Sequence, residues 1–286
     1  VATSVLSKRW NLLWCSVPSL DFDIVDEDFW SRNDENTYNT FYSSVCSFLA
    51  SHGDKPFYKI RLRCYISMHI TESMKTQIQT ALSGSCSVQI VDLYCNWEDF
   101  VIPSLVFSFK TLVILKLKYI TLEDVSFVDL PQLKILHLEN IISLTEIDLS
   151  QLLSGCPNLE KLQVRDLACE AKGKIIRLPK LVRVSIDKPL LPLEIFKDVE
   201  VLKFYYVMPI FQSNLYVNFD FHNLVRLQMS VEVDWLPILK VLNHCPKLQS
   251  LLICIDKRYE EEGVWPYPQN FPARISSHLK TCRLIE

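Results

Sequence analysis

The sequence predicts an α/β solenoid in which parallel strands line a concave face, irregular helices lie outside, and successive units wind with a right hand. Three observations predict it. The frame L-x-x-L-x-L, with any apolar residue at L, opens at Val17, Phe57, Val88, Leu112, Leu133, Leu159, Leu181, Val199, Leu224, Leu248 and Leu279. Seven intervals cover the 167 residues from Leu112 to Leu279, a mean period of about 24. The residue between the last two apolar positions is polar in ten of eleven frames, Leu252 being the exception. In a chain with 49% apolar residues a single frame means little. The argument rests on spacing and alternation, because alternation marks a strand buried on one face and wet on the other.

A period of this length lies within the range of leucine-rich repeats. Taken in order, residues 1–16 read as the end of a helix, with Val1, Val5, Leu6, Trp10, Leu13 and Trp14 at spacings of three and four. Pro18 stops it, and a strand over 17–22 runs into an acidic stretch over 21–28. A helix of about residues 34–51 follows, with Phe41, Val45, Phe48 and Leu49 on one stripe and Gly53 past its end. A second helix spans Thr71 to Leu82, capped by Thr71 and closed by Gly84. Leu130-Pro131, Leu178-Pro179 and Leu191-Pro192 sit before or between frames, where proline starts a segment without removing a needed donor. Twice a helix ends in a Cys-Pro pair, at Cys156-Pro157 and at Cys245-Pro246, 89 residues apart and two residues before a frame. Trp265, Tyr267 and Phe271, among Pro266, Pro268 and Pro272, read as an extended segment capping the open end of the stack, with an exposed peptide-binding patch as the alternative.

Composition narrows the function classes. A net charge of -3 and a pI near 6.1 argue against nucleic-acid binding through overall charge. No apolar run approaches twenty residues and no signal-peptide pattern or N-x-S/T site occurs, so neither a membrane nor a nucleic-acid partner is expected and the expected location is cytoplasmic or nuclear. Ten cysteines lie scattered in apolar contexts without a C-x-x-C pair, which fits buried thiols in a reducing compartment. Six histidines show no ligand spacing, and no nucleophile or phosphate-loop motif is present. With five glycines in the chain, glycine-rich phosphate cradles are excluded. The expectation is a non-catalytic protein without cofactor or metal.

Candidate binding residues follow from the strand pattern. Residues flanking the buried pair point to the inner face, which places Lys59, Arg61, Arg63, Lys116, Lys118, Lys161, Arg165, Arg183, Lys203 and Arg226 there against Asp92, Glu139 and Asp187. His137 joins them. Such a face suits an acidic or phosphorylated protein, or a polyphosphate ligand. The alternative is a solvated strand face whose long charged side chains cover apolar neighbours.

Two segments carry a family resemblance. Val5-Leu6-Ser7-Lys8-Arg9-Trp10, then Leu13-Trp14, Val17-Pro18 and Leu20-Asp21-Phe22, resemble the end of an F-box and the first repeat strand of plant F-box proteins with leucine-rich repeats. Trp265, Pro266, Pro268, Pro272 and Ile275-Ser276-Ser277-His278-Leu279-Lys280-Thr281 are similar to the C-terminal FBD of many of these proteins. The resemblance implies three parts: an F-box remnant over 1–16, repeats over 17–223, and FBD-like repeats and cap over 224–286. It implies a substrate-receptor subunit of an SCF-type E3 ubiquitin ligase. In that role Val5, Leu6, Trp10, Leu13 and Trp14 contribute to docking on a Skp-family adaptor within a cullin complex, and the concave face holds the target. The early F-box helices, with their Leu-Pro and I-L-S-x-L type run, are not in the sequence, and the chain begins at Val1 inside a helical pattern. A natural N-terminus upstream is therefore expected. Repeats of an intracellular immune receptor, or a decayed fragment that binds protein without a ligase, are the alternatives.

Overall fold

The computed structural model describes residues 18–24, 35–53, 55–64, 72–84, 87–95, 100–170, 176–187, 191–207, 217–231, 236–255 and 278–285. The F-box-like residues 1–16 and the aromatic, proline-rich segment around Trp265 lie outside them.

Among the described residues eleven strands run parallel along one continuous sheet, and each coincides with one of the eleven sequence frames. They are β1 (Ser19–Asp23), β2 (Lys59–Cys64), β3 (Ile90–Cys95), β5 (Ile114–Leu122), β6 (Ile135–Ser143), β8 (Lys161–Leu167), β10 (Arg183–Ile186), β11 (Val201–Val207), β12 (Arg226–Val231), β13 (Ser250–Ile255) and β14 (Thr281–Ile285). Short β4 (Val101–Ile102) pairs with the end of β5, and β7 (Ile147–Asp148) pairs with β9 (Cys169–Glu170). Register is set by the frame: Leu20, Ile60, Val91, Leu115, Leu136 and Leu162 lie side by side, as do Phe22, Leu62, Leu93, Leu117, Leu138 and Val164. Apart from half-buried Phe22, these residues are buried, and they form one core running the length of the stack. A slip of one residue would turn the whole apolar row to water, so burial holds the register.

The turns entering seven of these strands are equally regular. Leu112, Leu133, Leu159, Leu181, Val199, Leu224 and Leu248 each donate a backbone N–H to the carbonyl three residues back, on Phe109, Leu130, Cys156, Leu178, Phe196, Phe221 and Cys245. Those seven acceptor residues are all buried, so the repeat carries one more apolar position than the frame shows. Pro131, Pro157, Pro179 and Pro246 occupy the next position, where a β-turn favours a fixed φ and needs no N–H. One carbonyl of each unit then accepts two consecutive N–H groups from the next. Val113 takes Lys134 and Ile135, and Lys134 takes Glu160 and Lys161.

The outer layer holds α1 (Glu35–His52), α2 (Glu72–Ser83), α3 (Leu149–Ser154) and α4 (Leu236–Leu242). The predicted stripe of α1 faces the sheet: Phe41 and Phe48 meet Phe22 edge-on at 6.1 and 5.9 Å. Gly53 ends that helix at φ 63°, a conformation glycine adopts without strain. Met74, Ile78 and Leu82 form the buried stripe of α2. In α3 the Asp148 carboxylate accepts the N–H groups of Ser150 and Gln151, an N-cap worth about 1 kcal/mol.

Three strands bend at one level. Tyr119, Asn140 and Asp166 have φ of 54°, 51° and 47° on adjacent β5, β6 and β8. Each inserts one residue before burial resumes at Ile120, Ile141 and Leu167. Asn and Asp tolerate this conformation through their short polar side chains. Tyr119 is held there with its ring stacked on Tyr94, centroids 5.6 Å apart.

Candidate binding face

On each strand the buried pair points to the core, so its neighbours stand on the open side of the sheet. One row across that side reads Asp21, Arg61, Asp92, Lys116, His137, Gln163, Ser185, Lys203, Gln228, Leu252, Arg283. Lys59, Lys161, Arg183 and Arg226 belong to the row before it, and Arg63, Lys118, Glu139 and Arg165 to the row after it.

All eleven sequence-predicted face residues therefore share one side, but their electrostatic surroundings divide them. At the N-terminal end Lys59, Arg61 and Arg63 are matched by three carboxylates. Lys59 pairs with Asp21, and Arg61 pairs with Asp23 and with Asp21 at 3.4 Å. Arg63 reaches Asp92 at 2.9 Å and Asp23 at 3.7 Å. Asp21 and Asp23, absent from the sequence inventory of this face, neutralise it here. Their signal was visible, because Asp21 occupies the same frame position as Arg61 on the next strand.

In the middle Glu139 gathers two cations and a histidine. Its carboxylate accepts from Lys118 Nζ at 3.0 Å, lies 3.0 Å from His137 Nε2 and 3.5 Å from Arg165 Nη1. The side chain is only 9% exposed. Burial alone would raise its pKa, but the hydrogen bonds and charges of Lys118, His137 and Arg165 outweigh burial and hold it below the usual carboxylate value. Burial lowers the His137 pKa, helped by Lys116 and Lys118 and opposed by Glu139. His137 is thus neutral at physiological pH. Since an ionised carboxylate only accepts, Nε2 carries the proton it donates to Glu139. Arg165 also lies over the Tyr205 ring at 4.2 Å and Lys118 over Tyr94 at 4.7 Å.

The remaining bases, Lys116, Lys161, Arg183, Lys203 and Arg226, form no ion pair among the described residues. All five line one open depression of about 520 Å³, together with His137 and with Gln163, Ser185, Gln228, Ser250 and Leu252. Among the described residues no Asp or Glu lines it. The arrangement offers cations and neutral hydrogen-bonding groups on a rigid ladder, which is the chemistry of anion recognition. Among the described residues no cluster of His, Cys, Asp and Glu has the makings of a metal site. None of the described helices is long and apolar enough to span a membrane.

The comparisons with known proteins agree with the ladder. A model of the leucine-rich repeats of the FBD-associated F-box protein At5g56370 matches residues 80–188. The F-box/FBD/LRR-repeat protein At1g51370 of Arabidopsis thaliana is 36% identical over 190 residues, covering 66% of this chain and 41% of that protein. The F-box/LRR-repeat protein At4g14103 of the same plant is 36% identical over 176 residues, covering 58% and 44%. A longer alignment reaches the F-box/FBD/LRR-repeat protein At3g52680 of Arabidopsis thaliana at 27% identity, covering 98% of this chain and 73% of that protein. In the alignments of higher identity the chain spans about two-fifths of each relative. No solved structure matches the chain. With these likenesses and a parallel ladder whose strands follow the eleven repeat frames, the chain is similar to the plant F-box/FBD/LRR-repeat proteins.

Proposed function

We propose that this protein is the substrate-recognition subunit of an SCF-type E3 ubiquitin ligase, with the open sheet face holding a target protein. The observation that carries the reading is the ladder itself: among the described residues eleven parallel strands in fixed register present one face of polar and apolar residues with a cation-lined depression in it. Names of the relatives as F-box proteins support the ligase half of the reading. In it, the solenoid is right-handed, the segment around Val5, Leu6, Trp10, Leu13 and Trp14 is the end of an F-box that docks on a Skp-family adaptor, and an FBD-like segment caps the far end. The chain supplies proximity and orientation, and a partner E2 enzyme carries out the ubiquitin chemistry, so no residue here acts as a catalyst. The protein works in the cytoplasm or nucleus, and no cofactor takes part.

The test is affinity purification of the tagged product of the complete transcript from plant cells, with proteasome activity blocked. Adaptor and cullin should co-purify with it, and bound proteins should carry ubiquitin. Purification without adaptor or cullin overturns the ligase role. It would favour a repeat module that binds protein without a ligase.

A further inference from the structure

Resting on the reading of the open face as the target-binding surface, we infer that the target docks through an extended acidic segment of its chain laid across β5 to β12. Charge on this face is sorted along the solenoid. The N-terminal bases are neutralised within the protein, while Lys116, Lys161, Arg183, Lys203 and Arg226 face the depression without carboxylate partners among the described residues. Lys161 and Arg183 are directly opposite on adjacent strands, so like charges meet where a cross-strand pair would ordinarily be complementary. An external anion relieves that repulsion.

The shape of the cation set selects the class of anion. Lys116 and Arg226 sit five strand steps apart, a span of about 24 Å at the usual strand spacing. About seven residues of extended polypeptide reach that far. A compact polyphosphate touches only part of the set. Single-stranded nucleic acid is long enough, but it is ordinarily held by aromatic platforms, and among the described residues no Phe, Tyr or Trp lines the depression. Gln163, Ser185 and Gln228 instead offer hydrogen bonds of the kind a peptide backbone uses.

The experiment measures fluorescence anisotropy of a labelled eight-residue peptide of Asp and Glu alternating with Ser, against a matched Asn/Gln peptide, using the whole chain. The acidic peptide should bind, weaken with added salt, and lose on the order of tenfold in affinity with Lys161→Glu combined with Arg183→Glu. Lys240→Glu with Lys247→Glu, the same charge change away from the depression, should leave binding intact. Should the first variant fail to fold, Lys161→Gln with Arg183→Gln removes the same charges without adding new ones. Equal binding of the two peptides, no binding of either, or tighter binding of tripolyphosphate or a ten-nucleotide RNA overturns the inference. Adaptor co-purification is measured separately, so the ligase reading survives or fails independently of the peptide result.

Discussion

Lys161 and Arg183 stand opposite one another on neighbouring parallel strands, and neither forms an ion pair with any described residue. Like charges in direct cross-strand register destabilise a sheet. Replacing either residue with glutamine should therefore stabilise the free protein by a few tenths to about 1 kcal/mol, read as a higher urea midpoint. Loss of stability would show that the pair is compensated within the fold.

The cluster around Glu139 should make the protein sensitive to acid. His137 faces Lys116 and Lys118 on β5, Glu139 on its own strand and Arg165 on β8, and its pKa in the folded state lies below the ordinary 6.5. The unfolded chain then takes up the proton first, and stability falls as pH drops below about 6.5 until the folded imidazole also protonates. Glu139 is likewise depressed below the ordinary 4.5. Its contribution is present above that value and is lost as pH falls through the folded pKa. Urea midpoints should decline from about pH 7 to about pH 5 in the native chain and decline less in His137→Gln.

Gly155 should tolerate no side chain. A Cβ placed there would lie 2.3 Å from the Val128 carbonyl oxygen, and the Gly155 carbonyl accepts the N–H of Leu130 in the adjoining turn. Its φ of -77° is ordinary, so the constraint is space and not backbone freedom. Gly155→Ala should cost about 1–3 kcal/mol through forced displacement of the neighbouring turn. A thermal melt unchanged from wild type would contradict this.

The thiols of Cys156 and Cys245 should resist alkylation in the folded protein. Burial pushes both pKa values up to about 12, and each Sγ donates to the carbonyl four residues earlier, at 3.4 and 3.1 Å. Cys282 is exposed. Iodoacetamide at mildly alkaline pH, read by mass spectrometry, should label Cys282 and reach Cys156 and Cys245 only after urea is added.

The strand ladder was legible because its cause is a period-two burial pattern repeated about every 24 residues, and burial leaves a mark on composition. Helices α1 and α2 were legible for the same reason, their apolar stripes lying at helical spacing. The left-handed bends at Tyr119, Asn140 and Asp166 were not, since each depends on alignment between strands. Nor was the extra apolar position at Phe109, Phe196 and Phe221, which varies in residue type and shows its regularity only when the turns are superimposed. The candidate face was half legible. Which bases lie on it follows from alternation. Which of them remain uncompensated depends on pairs such as Arg63 with Asp92, 29 residues apart, and on Glu139 reaching two strands at once.

The shared carbonyl that ties each unit to the next fixes the inner spacing and leaves the outer path unconstrained. Only 18 residues separate Leu181 from Val199, whereas 31 separate Leu248 from Leu279, yet both pairs of frames feed the same ladder. Length is thus a free variable between strands and a fixed one within the ladder. A lineage can lengthen or shorten its outer connections without disturbing the open face, and can change a single strand-face residue without disturbing the connections. Connection length and face chemistry are free to vary on opposite sides of one sheet.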